Sequence, residues 1–280
     1  MKLFSKIPQL KKEITKIREK NKCIGFVPTM GYLHEGHISL VKRAKKENDV
    51  VVVSIYVNPL QFGVNEDYGR YPRDIERDKK ILKENGCDIL FFPSDQEMYH
   101  NQLVSVKIKE LSEKLCGISR PTHFEGVLTV VAKLFNIVCP DKAYFGEKDF
   151  QQYLIIKKMV EDLNFNLKVI PCPIVREKDG LAMSSRNSYL SEDERKRATV
   201  LFKSLNLGKE ILEKEKDIKK AKERIRELIE NEKPDKIDYI EIYDENGLKD
   251  VTEDTKYCRI FLAVFFGKTR LIDNIRVKLR

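Results

Sequence analysis

A chain of 280 residues, 41% hydrophobic and 35% charged, is long enough for one large domain or two smaller ones and too apolar to be disordered. Its net charge of +9 is compatible with nucleic acid, an anionic membrane or a small phosphorylated substrate, but the basic residues are scattered, and the alternating signs over 210–233 read as a solvated helix. Six cysteines stand singly beside apolar residues, which excludes a Cys-x-x-Cys zinc site and a disulfide framework and suits buried thiols in a reducing cytoplasm.

In chain order, the first half alternates strand-like and helix-like stretches. Residues 1–8 lack the apolar core of a secretory leader, and no apolar run is long enough to span a bilayer. Residues 23–27 are a short apolar run ending at Pro28, which predicts a strand. Residues 37–47 place Ile38, Val41 and Ala44 between basic residues, the spacing of an amphipathic helix. Residues 49–57 are a β-branched run closed by Asn58-Pro59, as expected of a strand covered on both faces. A polar helix is expected at 74–85, stopped by Gly86, and a buried strand at 88–92. An apolar helix at 127–137, a short strand at 143–145, a helix at 150–163 and a strand at 167–175, interrupted by Pro171 and Pro173, complete this half. Beyond residue 176 the character changes. Two charged amphipathic helices, 192–214 and 218–231, precede strands at 237–243, 258–266 and 269–279.

Strands alternating with helices require right-handed crossovers, hence a parallel sheet with helices on both faces. The prediction is an α/β chain: a Rossmann-like domain over 1–176 that binds a nucleotide and a small acid, and a smaller α+β lid domain over 177–280. In such sheets ligands bind beyond the carboxyl ends of the strands. The motifs that carry chemistry lie there.

The first is His34-Glu35-Gly36-His37, directly after the strand at 23–27 and the turn Pro28-Thr29-Met30-Gly31. Residues three apart at a helix start share a face, and the helix N-terminus offers free N–H groups and a positive dipole to an anion. Gly36 lets a phosphate or base approach the backbone. Two imidazoles over a polyphosphate can donate hydrogen bonds as charge develops. The second is Gly146-Glu147-Lys148-Asp149, after the strand at 143–145. Lys148 is placed to neutralise phosphate, Asp149 to cap the next helix or to hold a ribose or Mg²⁺, and Gln152 to bind a carboxylate or hydroxyl. The third is Met183-Ser184-Ser185-Arg186, whose hydroxyls and guanidinium suit phosphate oxygens.

The His-x-Gly-His stretch resembles the signature of the nucleotidylyltransferase superfamily, and the Met-Ser-Ser-Arg loop stands where those proteins carry a Lys-Met-Ser-Lys-Ser-like segment. A closer resemblance, covering essentially the whole chain, is to the pantothenate synthetase family. It is carried by Asn58-Pro59-Leu60-Gln61-Phe62, Arg70-Tyr71-Pro72-Arg73, Arg120-Pro121-Thr122-His123-Phe124-Glu125-Gly126-Val127, the Gly-Glu-Lys-Asp segment and the Met-Ser-Ser-Arg loop, in this order. Leu60 stands where Met is expected and Phe150 where Tyr is common, and loop 63–70 is less typical. Neither substitution removes a polar group from the site.

The resemblance implies a ligase that joins pantoate to β-alanine with ATP through pantoyl adenylate. Mg²⁺, a homodimer and a cytoplasmic location come with it. ATP would lie against Met30, Gly31, Tyr32, Leu33, His34, Glu35, Gly36, His37, Gly146, Glu147, Lys148, Asp149, Val175, Met183, Ser184, Ser185 and Arg186. The acids would lie against Gln61, Gln152, Asn58, Arg120 and His123. His34, His37, Lys148, Ser184, Ser185 and Arg186 would stabilise the leaving pyrophosphate. No metal-ligand set is legible. A nucleotidylyltransferase acting on a phosphorylated substrate would share the first motif but need a second cationic pocket. A class I synthetase fragment would need an anticodon-binding segment, and an RNA-binding module an aromatic-basic motif; neither is present. The junction at 175–180 is expected to hinge, swinging the C-terminal domain toward the core when ATP binds.

Overall fold

The computed structural model describes residues 1–64 and 66–280, so Asn65, within loop 63–70, lies outside the described residues. Six strands, β1 Lys2–Phe4, β2 Ile24–Thr29, β3 Val50–Ile55, β4 Ile89–Phe91, β5 Lys142–Gly146 and β6 Lys168–Cys172, form one sheet in the order β1-β4-β3-β2-β5-β6. Every pair is parallel. Successive strands run outward from β2 through β3 to β4, then the chain returns to the other side of β2 for β5 and β6. The order therefore reverses between β2 and β5, where a doubly wound sheet leaves a crevice. The pairing shows it opening: β2 stays in register with β3 through Pro28 and Thr29, but its pairing with β5 ends at Phe26.

The central strands are buried on both faces, as their β-branched runs require. All six residues of β3 are buried. Helix Glu35–Glu47 packs on one face through Ile38, Val41 and Ala44. Helix His123–Val138 covers the other and is apolar almost all round. It begins a turn earlier than its apolar run, because residues 123–126 pack against the turn Pro59–Gln61. A Cβ on Gly126 would collide with the Leu60 carbonyl, so only glycine allows this approach.

Several elements depart from the expected pattern, among them the edge strand β1 Lys2–Phe4, which was not expected. A first helix, Ile7–Arg18, was not expected, although Ile7, Leu10, Ile14 and Ile17 keep helical spacing. The strand predicted to end before Pro28 continues through it. The helix expected over 192–214 is two, Glu192–Arg197 and Val200–Glu215, broken at Ala198 and Thr199, where Thr199 and Leu201 bond back three residues instead of four. The cysteine expectation also needs correction. Cys87, Cys116, Cys172 and Cys258 are buried, but Cys23 and Cys139 are exposed. Cys23 precedes β2 at the sheet's rim, and Cys139 is the left-handed cap of helix His123–Val138.

The C-terminal unit is a three-stranded antiparallel sheet, β7 Lys236–Asp244, β8 Tyr257–Phe266 and β9 Thr269–Lys278. One face packs on helices Val200–Glu215 and Ile218–Asn231 through Leu205, Leu212, Ile225, Ile229 and Ile260. The other meets the parallel-sheet unit, where Phe261 packs with Phe150 and Leu154. This sheet is thus walled on both sides, and its β9 edge faces the crevice.

Candidate active site

The turn leaving β2 is built by a residue 45 positions away. Asp78, almost fully buried on helix Ile75–Glu84, accepts from the backbone N–H of Tyr32 at 2.7 Å and of Leu33 at 2.8 Å. Tyr32 takes a positive φ of 51° and Gly31 one of 85°, a kinked path that the Asp78 carboxylate pins. Burial raises the Asp78 pKa from its usual range, with the two N–H bonds working against that. The turn delivers His34 as N-cap of helix Glu35–Glu47. The two imidazoles then cap this helix reciprocally: Gly36 N–H donates to His34 Nδ1 at 3.1 Å, and His34 N–H to His37 Nδ1 at 3.4 Å. A neutral imidazole whose Nδ1 accepts carries its proton on Nε2. Burial, with Lys148 nearby, lowers the His34 pKa to about 4. Burial, His34 and Lys148 push His37 well below its usual value. Both rings, 4.1 Å apart, are therefore uncharged near neutral pH with their Nε2–H groups left for a ligand. Gly36 serves this pair: a Cβ there would meet the His34 ring at 2.8 Å.

Across the crevice, β5 ends in the tight turn Glu147–Asp149, which presents Lys148 with Asp149 3.6 Å from its ammonium. The next helix places two glutamines side by side with different fates. Gln151 is spent inside, accepting from Cys116 N–H and donating to the Leu111 and Lys114 carbonyls. Gln152 faces the cavity. Opposite it, Gln61 accepts from Asn58 Nδ2 at 3.1 Å and lies 3.0 Å from Met30 Sδ. Asn58 itself is buried. Its amide also donates to the Gly126 carbonyl and accepts from Leu60 N–H and Tyr99 Oη, so all four of its positions are taken by protein.

The third motif reaches the site on a hairpin. Arg176 and Ala182 form an antiparallel bridge, and Met183 N–H donates to the Val175 carbonyl. Ser185 Oγ donates to the Tyr32 carbonyl at 3.2 Å, tying this loop to the turn after β2. Ser184 Oγ caps the backbone N–H of Arg186. The Arg186 guanidinium is held by Asp67, both bonds 2.9 Å. Arg120 is held the same way by Glu66 at 2.7 and 2.5 Å. Burial opposes charge on both carboxyls, but the facing guanidinium outweighs it and keeps each pKa below its ordinary value. His123 donates from Nδ1 to the Gln61 carbonyl at 2.8 Å, and its Nε2 faces Arg120 at 3.2 Å, the opposite tautomer to His34 and His37. Burial and Arg120 lower its pKa to about 3.

These groups enclose one cavity of about 240 Å³ at the strand-order reversal, which shares Arg120, Lys148, Gln152 and Arg186 with a second of about 300 Å³ between the two units. Of the residues singled out in the sequence, Met30, His34, Gly36, His37, Gln61, Arg120, His123, Gly146, Lys148, Asp149, Gln152, Val175, Met183, Ser184, Ser185 and Arg186 line the inner cavity. Gly31, Tyr32, Leu33, Glu35, Glu147 and Asn58 do not; Asn58 supports Gln61 from behind. Asp78, Glu66 and Asp67 were missed. Their partners lie 45, 54 and 119 positions away, and no local pattern marks them.

Comparison with known proteins agrees with this geometry. A family model described as pantoate-beta-alanine ligase matches residues 2–276. The chain belongs to the pantoate-beta-alanine ligase family. It is 55% identical over 280 residues to a pantothenate synthetase of Caldicellulosiruptor bescii, covering 99% of each chain. It is 54% identical over 276 residues to that of Thermotoga petrophila, covering 98% of this chain and 99% of the relative. The solved pantothenate synthetase of Thermus thermophilus superposes with a TM-score of 0.94 at 44% identity, covering 98% of this chain and 99% of that one. A pantoate-beta-alanine ligase of Francisella tularensis, solved with beta-gamma ATP and beta-alanine, superposes with a TM-score of 0.81 at 39% identity, covering 98% and 97%. Membership makes the chain a ligase of pantothenate biosynthesis with a Rossmann-like sheet and a small antiparallel C-terminal sheet. Among its described residues no helix is long and apolar enough to cross a membrane.

Proposed function

We propose that this chain joins pantoate to β-alanine in two steps at the crevice between β2 and β5. The observation that carries the reading is the pairing in one cavity of groups able to donate to phosphate (His34, His37, Lys148 and Ser184) with two cavity-facing amides, Gln61 and Gln152. ATP would lie along the first set, with its phosphates at the N-terminus of helix Glu35–Glu47. Pantoate would lie between the glutamines, whose uncharged amides suit a carboxylate and hydroxyls. Arg120 lines the same end, with His123 Nε2 accepting from its guanidinium and helping to aim it, and would receive the β-alanine carboxylate.

In the first step a pantoate carboxylate oxygen attacks the α-phosphorus, the bond to the bridging oxygen breaks, and pyrophosphate leaves. Charge accumulates on that leaving group, and the Nε2–H groups of His34 and His37, with Lys148, are placed to stabilise it. In the second step the neutral amine of β-alanine attacks the acyl carbon of pantoyl adenylate. The carbon–oxygen bond to AMP breaks, and the amine loses its proton to solvent. Mg²⁺ would screen the phosphate charge. Asp149, the one acidic side chain among those lining the inner cavity, is the residue to help hold it, and no cluster of three acidic, His or Cys ligands exists among the described residues. An ion carried on ATP and touched by one carboxylate fits Mg²⁺ chemistry. We place the boundary between the nucleotide-binding unit and the C-terminal unit at residues 176 and 177. The family reading extends to a cytoplasmic homodimer, and mass measurement in solution tests the dimer.

The deciding experiment is exchange of labelled pyrophosphate into ATP. The expected result is exchange with pantoate alone, and AMP release only when β-alanine is added. Exchange that required β-alanine would rule out a separate adenylation step.

A further inference from the structure

Lys148 sits on a three-residue turn with no side-chain cap, and its direction must be set from outside. The setting comes from the C-terminal sheet. Asn274 on β9 is 2% exposed, and its Nδ2 donates to the carbonyls of both Glu147 and Lys148 at 2.9 Å. Those carbonyls belong to the two peptide planes that flank the Lys148 α-carbon. Each plane is rigid, so holding both restrains the two soft torsions between them and sets the direction of the Cα–Cβ bond from which the Lys148 side chain starts. The Asn274 amide cannot flip, because Arg259 Nη1 donates to its Oδ1 at 2.6 Å. A flipped amide would turn its N–H groups on the guanidinium and its oxygen on two carbonyls. Arg259 is held in turn, 3% exposed and 3.7 Å over the Phe150 ring. The preceding residue, Asp273, binds Arg176 at 2.6 and 2.9 Å, and Arg176 donates to the Gly180 carbonyl in the hairpin that carries Ser184 and Ser185.

We propose that Asn274 is a positioning residue for Lys148, and that Asp273 and Asn274 together set the spacing between Lys148 and the serine loop. Two adjacent residues of one strand reach two motifs that lie 36 positions apart in the chain, from Lys148 to Ser184. The proposal rests on the adenylation reading above.

The test is a double-mutant cycle on pyrophosphate exchange with pantoate. Asn274→Ala and the isosteric Asn274→Asp, which keeps a partner for Arg259, each lower kcat by roughly 10- to 100-fold, the scale of an ångström-level misplacement. The KM for pantoate stays the same, because Gln61 and Gln152 are untouched. In a Lys148→Ala background neither substitution lowers exchange further, since the group being aimed is gone. A loss that repeats in full in that background, or exchange at the normal rate in Asn274→Asp, overturns the proposal. If the unmodified chain gave no pantoate-dependent exchange, the adenylation reading itself would fall, a different result from an additive cycle.

Discussion

His34 and His37 spend their Nδ1 atoms on the backbone of their own helix and leave Nε2–H facing the cavity, whereas Arg120 and Arg186 are closed on Glu66 and Asp67. The two ends of the cleft thus differ before any ligand arrives. The inner end is preorganised: its two imidazoles are neutral and delivered by a turn that Asp78 pins, and the Lys148 ammonium rides on a turn that Asn274 holds. At the outer end the cations are already satisfied by carboxylates, and an incoming anion must displace them. Preset donors act on the transition state without reorganisation. Exchangeable cations bind and release charged ligands, because each new contact replaces an old one. Substitutions at the two ends separate these roles.

The largest effect belongs to the preset end. His37→Ala lowers pyrophosphate exchange by about 10²- to 10³-fold, the usual loss of one transition-state donor. Reaction of supplied pantoyl adenylate with β-alanine changes far less, because pyrophosphate has already left. A variant with normal exchange and slow amide formation would move His37 to the second step. Next come the amides. Gln152→Ala and Gln61→Ala each weaken pantoate binding by about 1–3 kcal/mol, the cost of leaving buried polar groups unpaired. ATP binding is unchanged, and calorimetric titration of each ligand separates the two. The variants should differ in stability. Gln61 is bonded to Asn58, whose freed N–H then lacks a partner, so Gln61→Ala melts lower than Gln152→Ala.

A smaller effect tests the exchangeable end. Asp67→Asn removes the charge that competes for Arg186. Pyrophosphate should then bind several-fold more tightly, up to about tenfold for each 1.4 kcal/mol of competition removed. It should become a stronger product inhibitor, while kcat for exchange changes little. Weaker pyrophosphate binding in Asp67→Asn would mean that the carboxylate helps to build the site and does not compete for it.

The contrast also explains what the sequence revealed. The strands were legible because β-branched runs report burial on two faces, and the motifs because each follows such a run. The supports were not. Asp78 reads as one more charge on a polar helix, Asn274 as a polar residue in a strand, and Glu66 and Asp67 as part of an acidic loop. Each acts on a partner 45 or more positions away, and a single sequence carries no sign of such pairs. Helix Ile7–Arg18 is a different case: its apolar residues keep the right period, but the charged residues between them mask it. Asn58 was singled out for its motif, and only the packing of Gly126 on Pro59–Gln61 shows that its amide is fully used by the protein.

The smallest expected effect concerns the domain swing. A hinge at 175–180 would have to let the C-terminal unit move as a body against the sheet unit. Three sets of contacts oppose that. Asn274 holds the Lys148 turn, Arg259 stacks on Phe150, and Phe261 packs with Phe150 and Leu154. Arg176, at the start of the hinge, is bound bidentately to Asp273 of β9 and so moves with the C-terminal unit. Swinging that unit would break the Asn274 bonds and release Lys148 from its aim when ATP needs it. Closure is therefore expected in the side chains of Glu66, Asp67 and Arg186, whose pairs can exchange without moving a domain. Spin labels on exposed sites, one at Lys46 in the sheet unit and one at Glu223 in the C-terminal unit, should keep their separation within about 2 Å when a non-hydrolysable ATP analogue and pantoate are added. A label at Gly69 should shift relative to either. If instead the distance between units shortens by several ångströms at saturation, the C-terminal sheet is a lid, and the contacts of Asn274 must form in only one of its two positions.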